Sequence, residues 1–375
     1  MKKTRVGITG KNGFVGYHLL QTIKLNASDF ELVYFERSYF NNPLDLDSFV
    51  SNCDCIVHLA GLNRHIDPQV IYDTNTELTK KLIESLIRTN STPQIIFSSS
   101  TQEERDNLYG QSKKKSRELL AEWARKSKAF LCGLIIPNVY GPFGEPKYNS
   151  VVATFCHQLA NGEKPLIQVD GEMKLIYVGE LVEKILEAII NKENNSFKIV
   201  NHSAEAFVSE ILNLLKIFKT EYQDKGIIPE IASDFEHKLF NTYRCYMPNK
   251  HYFPRKFVTN EDNRGCFVEL ARLGIGGQVS YSTTIPGITR GNHFHTRKIE
   301  RFAVLKGKAR IQLRRIGTSE VLEFFLDGDT PSHVDMPIWY THNITNVGND
   351  ELITVFWINE PYDSEDSDTW FEAVE

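Results

Sequence analysis

His293 and His295 stand one residue apart in "GITRGNHFHTRKIERFAVLKG", the stretch from Gly287 to Gly307, and Glu300 follows five residues after the second histidine. Residues two apart on a strand point to the same face, so both imidazoles look one way. Glu300, opening the next strand, can face them across a hairpin. A later strand, in "MPIWYTHNITN", supplies His342. Three imidazoles and a carboxylate suit Zn, Fe, Mn or Ni, and ligand type does not choose among them. Such an ion polarises a carbonyl and stabilises the enediolate formed when a neighbouring C–H loses its proton.

A different chemistry is written near residue 10. In "RVGITGKNGFVG", Gly10, Gly13 and Gly16 follow an apolar run and open a helix, with Phe14 and Val15 between the last two. Such a turn lets backbone approach a pyrophosphate and aims the helix N-terminus at the anion. After the next apolar run come Glu36 and Arg37, where dinucleotide folds read the adenosine ribose. Arginine there favours the 2′-phosphate of NADPH, and the adjacent acid favours NADH. Further on, Tyr109 and Lys113 lie four apart and share a helix face. A nearby ammonium, together with the cofactor's charge, is expected to lower the phenol's pKa and fit it for proton exchange with a reacting oxygen, to which Ser100 can also hydrogen-bond.

The elements that must hold these groups follow from periodicity. "RVGIT", "ELVYF", "CIVHLA", "QIIFSSS" and "LCGLIIP" read as strands buried on both faces, separated by helical patterns. That alternation predicts an α/β fold with a doubly wound parallel sheet. From about 147 to 220 helical patterns dominate, and 221–254 reads as a mixed connector. Beyond 255, short strands broken by glycine predict an antiparallel sandwich or small barrel. The boundary falls near 250, giving segments 1–250 and 251–375.

Composition narrows the setting. The 375 residues are 41% hydrophobic and 24% charged, with net charge −5 and no basic block, which argues against nucleic acid or an anionic membrane as partner. No apolar run reaches the ~18–20 residues of a membrane span, and the N-terminus lacks the apolar core of a signal peptide. Six cysteines, at 53, 55, 132, 156, 245 and 266, show no disulfide framework. A cytoplasmic protein with free buried thiols is expected.

Residues 1–250 resemble an extended short-chain dehydrogenase/reductase of the sugar-nucleotide kind. The resemblance is carried by "TGKNGFVG", "VHLAG", "SSS", "YGQSK" and "NVYGP". It implies Ser100, Tyr109 and Lys113 as the catalytic set, with Lys113 also on the nicotinamide ribose. Leu59, Ala60 and Gly61 would line the cofactor, Asn138 would touch the substrate's diphosphate, and Asn149 would begin the nucleotide-sugar lobe at 147–250. Ile135 stands where relatives often carry arginine, and the serine-to-tyrosine interval is a short nine residues. The glycine frame around His293, His295 and Glu300 is similar to the first motif of cupins. Pro337, His342 and Asn346 fit the second motif, with Trp339 at a usual glycine.

Taken together, with "GNHFH", "YTHNI", "YNSVVATFC" and "NRGCF" (263–267), the chain resembles the bifunctional capsular polysaccharide enzymes that join an NADPH-dependent reductase to a zinc-bearing cupin epimerase. That family implies C3 epimerisation of a UDP-linked 4-keto-6-deoxy amino sugar, then C4 reduction, in a homodimer joined through the cupin. The cupin's proton-transfer group stays open among Tyr281, Lys298, Tyr340 and His333. The alternative is a reductase whose cupin is structural and dimerising.

Overall fold

The computed structural model describes residues 3–257, 259–262, 265–268, 270, 276–360 and 363–375, with 259–262 and 265–268 described by main chain alone. Asn263 and Arg264 of "NRGCF" lie outside the described residues. Two compact units emerge, one of residues 1–153 with 170–208, the other of 154–169 with 209–375.

In the first unit the strands, in chain order, are β1 (Thr4–Thr9), β2 (Phe30–Val33), β3 (Cys55–His58), β4 (Gln94–Ser100), β5 (Leu131–Ile136), β6 (Asn138–Tyr140), β7 (Glu172–Tyr177), β8 (Asn195–Ile199) and β9 (Ala204–Phe207). Six of them form a parallel sheet in the order β2-β1-β3-β4-β5-β8, and β6-β7-β9 form a smaller mixed sheet. The helices are α1 (Phe14–Leu25), α2 (Pro43–Asn52), α3 (Pro68–Arg88), α4 (Leu108–Ser127), α5 (Val151–Ala160), which passes into the second unit after Ala153, and α6 (Val178–Ile190).

The strands lack strict alternation because both faces of the sheet are covered. Val6, Ile8, Val57, Ile96 and Leu134 pack with Leu19 and Ile23 of α1 and with Leu181 and Ile185 of α6. Ile56, Ile95, Phe97 and Leu131 pack on the opposite side with Phe49, Leu82, Leu86, Leu120 and Trp123. Each such side chain contributes about 1.5–3 kcal/mol on burial. From β1 the chain turns to β2 on one side and then to β3 on the other. The switch point between β1 and β3 opens a crevice at the strands' carboxyl ends, where ligands bind in such sheets.

The second unit begins with α7 (Val208–Phe218), α8 (Asp234–Arg244) and α9 (Asn249–Tyr252). Its strands are β10 (Arg255–Lys256), β11 (Thr259–Asp262), β12 (Gly265–Val268), β13 (Gln278–Thr284), β14 (Thr289–Phe294), β15 (Glu300–Lys306), β16 (Lys308–Arg315), β17 (Val321–Asp327), β18 (Ser332–Met336), β19 (Tyr340–Asn346), β20 (Leu352–Ile358) and β21 (Trp370–Phe371). Two five-stranded antiparallel sheets, β10-β18-β15-β20-β13 and β17-β16-β19-β14-β21, enclose one core. Phe302, Val304, Val334 and Leu352 come from the first sheet; Ile311, Leu313, Phe324 and Ile344 come from the second.

The opposite face of β15 and β18 is polar and buried. Arg301 grips Asp335 through two nitrogens at 2.7 and 2.9 Å, and the Tyr222 hydroxyl donates to Asp335 at 2.6 Å. Arg244 donates to the carbonyl of Met336 at 2.8 Å. These bonds explain why 221–254, read from composition as a connector, packs with the strands that follow it. Cys53, Cys55, Cys132, Cys156 and Cys245 are free thiols, the first four buried. No helix among the described residues is long and apolar enough to cross a membrane.

Candidate functional site

The glycine turn occupies the switch-point crevice. Gly10 has φ +80°, and a Cβ there would lie 2.8 Å from the Ala60 nitrogen, so the turn and the end of β3 touch through backbone. A Cβ on Gly16 would lie 2.2 Å from the Gly10 oxygen, forcing the first turn of α1 away from the loop. Gly13 is more open, its nearest neighbour being the Gly10 oxygen at 3.3 Å from an added Cβ. Gly13 caps α1 without a side-chain partner, leaving the amide donors of the first turn for a ligand.

Tyr109 and Lys113 reach the same crevice because of how α4 begins. Asn107 caps it by accepting from the Gly110 amide at 2.8 Å. Gly110 then lets the helix press on the turn after β4, since a Cβ would meet the Gln102 oxygen at 1.9 Å. Lys113 is buried and donates to the Ser98 carbonyl at 2.8 Å, with its nitrogen 5.9 Å from the Tyr109 ring. Burial brings the Lys113 ammonium down to about 8 against an opposing pull from Glu103. The Ser100 hydroxyl accepts from the Gln102 amide at 3.2 Å, leaving its own proton to donate.

In the chain alone burial, with the neighbouring Tyr148, pushes the Tyr109 phenol up to about 12 while the Lys113 ammonium donates to Ser98, so the expected lowering of the phenol falls to the cofactor's charge.

A cleft of about 570 Å³ is lined by Gly10, Gly13, Phe14, Val15, Gly16, Leu59 and Gly61, by Ser100, Tyr109 and Lys113, and by Asn138 and Asn149. Ala60, expected at the cofactor, does not line this cleft; its amide donates to the Thr9 hydroxyl at 3.3 Å. Arg37 is exposed at the start of a 3-10 turn after β2 and does not line this cleft; Glu36 accepts from the Tyr34 hydroxyl. Ile135 is buried in β5. Asn75 was not singled out from sequence. Its side chain accepts from the Leu62 amide at 2.6 Å and donates to the Leu62 carbonyl at 3.0 Å and to Ser112 at 2.9 Å, tying the loop after β3 to α4. Its signal, a polar residue on the buried stripe of α3, was present but unspecific.

In the second unit His293, His295, Glu300 and His342 converge, one ligand atom from each lying within 4.8 Å of all the others. His293 and His342 are partners across β14 and β19, and the register slips between Gly291 and His293. Gly291, at φ +100°, permits that slip, since a Cβ would meet the His342 oxygen at 2.8 Å. Strand β14 ends at Phe294, so His295 lies beyond the ladder and its carbonyl accepts from the Trp339 amide at 2.8 Å. Trp339 adopts the left-handed backbone of the usual glycine, at φ +62°, with its ring packed on Phe294.

The donor set fits a divalent ion. A carbonyl can only accept, so His295 Nδ1 donates to Asp368 at 2.5 Å and His342 Nδ1 donates to Tyr340 at 3.3 Å. In the neutral imidazoles both Nε2 lone pairs are thereby left facing Glu300, each 3.1 Å from the same carboxylate oxygen. The buried His342 Nε2 has no hydrogen-bond partner among the described residues. Lone pairs converging on an anion call for a cation among them, and bonds of about 2.0–2.2 Å would set ligands of a zinc ion roughly this far apart. Burial would raise the Glu300 carboxyl, but the hydrogen bond from His295 Nε2, foremost, holds it well below the usual carboxylate range, so a proton on that nitrogen can stand where the ion would. Burial, with His342, lowers the His293 imidazole to about 4, keeping it neutral.

Of the proton-transfer candidates, His333 sits on the polar outer face of β18 beside Phe257 and Asp335, turned from the cluster. Tyr281 is 73% exposed. Lys298 is buried and donates to the Ser367 carbonyl at 2.8 Å. Tyr340 lies two residues before His342 on β19 and so shares its face.

Residues 6–201 match the NAD dependent epimerase/dehydratase family and residues 260–370 match the polysaccharide biosynthesis C-terminal domain. The chain is 33% identical over 374 residues to a UDP-2-acetamido-2,6-beta-L-arabino-hexul-4-ose reductase of Pseudomonas aeruginosa, covering 99% of each. The crystal structure of the capsular polysaccharide assembling protein CapF from Staphylococcus aureus superposes with a TM-score of 0.62 at 33% identity, covering 98% of this chain and 99% of that one. The first-unit fold also matches RMD from Pseudomonas aeruginosa at 20% identity, with a TM-score of 0.53 over 58% of this chain and 83% of that one. With nearly complete mutual coverage at this identity, the chain belongs to the CapF family of capsular polysaccharide proteins, its first unit being of the NAD dependent epimerase/dehydratase family.

Proposed function

We propose that the protein is a two-step enzyme of surface-polysaccharide precursor synthesis. The second unit, read as a zinc-bearing cupin, epimerises C3 of a UDP-2-acetamido-2,6-dideoxy-4-hexulose. The first unit, an NADPH-dependent reductase, then reduces C4 to a UDP-6-deoxy-talosamine derivative, a precursor of N-acetyl-L-fucosamine. In domain terms the reductase is residues 1–250, with a nucleotide-sugar lobe within 147–250, and the epimerase 251–375. Support comes from the relative of nearly equal length named as a reductase of a UDP-linked 4-ulose. The observation that carries the reading is the four-residue cluster in a chain whose other unit brings Ser100, Tyr109 and Lys113 to one cleft.

When bound, NADPH supplies the hydride that C4 accepts, and a divalent ion supplies charge that makes the C3 hydrogen acidic. The chain does the rest. Amides of the Gly10–Gly16 turn take the pyrophosphate. Ser100 donates a hydrogen bond to the C4 oxygen. Tyr109 gives that oxygen its phenolic proton, so ketone, hydride and proton sum to an alcohol. Lys113 holds positive charge beside the phenolate left behind. His293, His295, Glu300 and His342 would hold the ion. A base on their side of the sugar, for which Tyr340 is the candidate on the correct face, takes the C3 proton, and a proton returned to the opposite face of C3 inverts that carbon with no net change in protons.

The test uses the full chain with the 4-keto UDP-sugar in D2O without NADPH. Deuterium should enter at C3, and adding NADPH should then convert C4. No label at C3, with C4 reduction intact, would favour the structural role for the second unit.

A further inference from the structure

The segment after β20 returns to the cluster and closes on it at one residue. The Asp368 carbonyl accepts from His295 Nδ1 at 2.5 Å. Its carboxylate accepts from three successive backbone amides, Thr296 at 2.9 Å, Arg297 at 3.0 Å and Lys298 at 3.1 Å, and from the Thr296 hydroxyl at 2.6 Å. Asp368 is buried and holds a left-handed backbone at φ +41°, a conformation uncommon for aspartate. Residues 296–299, three of whose amides Asp368 thus holds, form the link between two of the four converging side chains, His295 and Glu300. His295 lies past the end of its strand, so no ladder fixes its ring.

We infer that Asp368 is a positioning residue for the cation site: its carbonyl sets which nitrogen of His295 faces the cluster, and its carboxylate fixes the turn that spaces His295 from Glu300. The inference rests on the metal-binding reading above. Its chemistry is that of outer partners in metal sites, where a hydrogen bond to the far nitrogen of a ligating imidazole fixes tautomer and ring angle. Asparagine is close in shape but keeps a single acceptor oxygen and turns an NH2 group toward the amides, so it should unsettle the turn. Neighbouring contacts are separable. Arg297 joins the same segment through Asp366 at 2.8 Å and Glu360 at 3.1 Å and takes no part in the carboxylate's bonds except through its amide.

The experiment measures Zn2+ affinity of the full chain by competition with a chromophoric chelator, and the visible absorption of the Co2+ form. Asp368→Asn should weaken Zn2+ about 10–100-fold and shift the Co2+ bands, while Arg297→Ala leaves both near wild type. In the background of His295→Ala, the Asp368→Asn change should cost no more than a few-fold, because the ligand it acts through is gone. Thr296→Val, which removes one bond to the carboxylate, should give a smaller loss and serves if Asp368→Asn does not fold. Wild-type affinity in Asp368→Asn, or equal losses in Arg297→Ala, overturns the inference while leaving the cation site standing. A wild-type chain that takes up neither ion overturns the metal reading itself, and the inference with it.

Discussion

The two candidate sites are built by opposite means. In the first unit the glycine turn and the loop after β3 offer main chain to a ligand, and the decisive residues are ones where a Cβ has no room. In the second, four side chains from β14, the turn after it, β15 and β19 meet around a point, and main chain serves to aim them. A phosphate is met by amides and a cation by lone pairs. The first site should therefore break when atoms are added, the second when they are removed.

The largest effect is a crossover in chemistry. Tyr109→Phe should lower NADPH oxidation about 10²–10⁴-fold while deuterium still enters C3, and His342→Ala should do the reverse. Loss of both activities in either variant would mean that the sites are not separable. Next is the contrast between neighbours in the turn. Gly16→Ala, with its 2.2 Å backbone clash, should cost about 1–3 kcal/mol or more in thermal unfolding, whereas Gly13→Ala should leave stability near wild type and raise KM for NADPH. Equal stability for the two variants would refute the packing argument.

A third prediction concerns pH. Lys113 loses its charge as pH rises through about 8, so C4 reduction should fall about tenfold per unit above that value. Lys113→Arg, if active, should lose that limb, because arginine stays charged. A flat profile in the wild type would show that the ammonium's charge is not required.

How far the sequence foretold this follows from distance along the chain. The spacing of Gly10, Gly13 and Gly16, of Tyr109 and Lys113, and of His293, His295 and Glu300 is short, so local geometry carries it into space. Periodicity likewise placed β1 to β5, because strands covered on both faces need unbroken apolar runs. Asp368 lies 73 residues from His295, and nothing local marks it among the acids of its segment. The Tyr109 phenol is raised by burial and, after it, by the neighbouring Tyr148, in a loop the pattern could not position. The stretch 221–254 looked unattached because its anchors, Tyr222 and Arg244, bond to Asp335 and Met336 more than 90 residues later.

That last arrangement bears on any attempt to study the two chemistries apart. A recombinant fragment starting at 255 would carry every proposed ion ligand yet strip Tyr222 and Arg244 from the Arg301–Asp335 pair, baring a buried charge couple to water. The excursion of 154–169 into the second unit defeats a single cut elsewhere. Dissection here belongs to point substitutions in an uncut polypeptide, and silence from a truncated piece would report on its folding rather than on its catalysis.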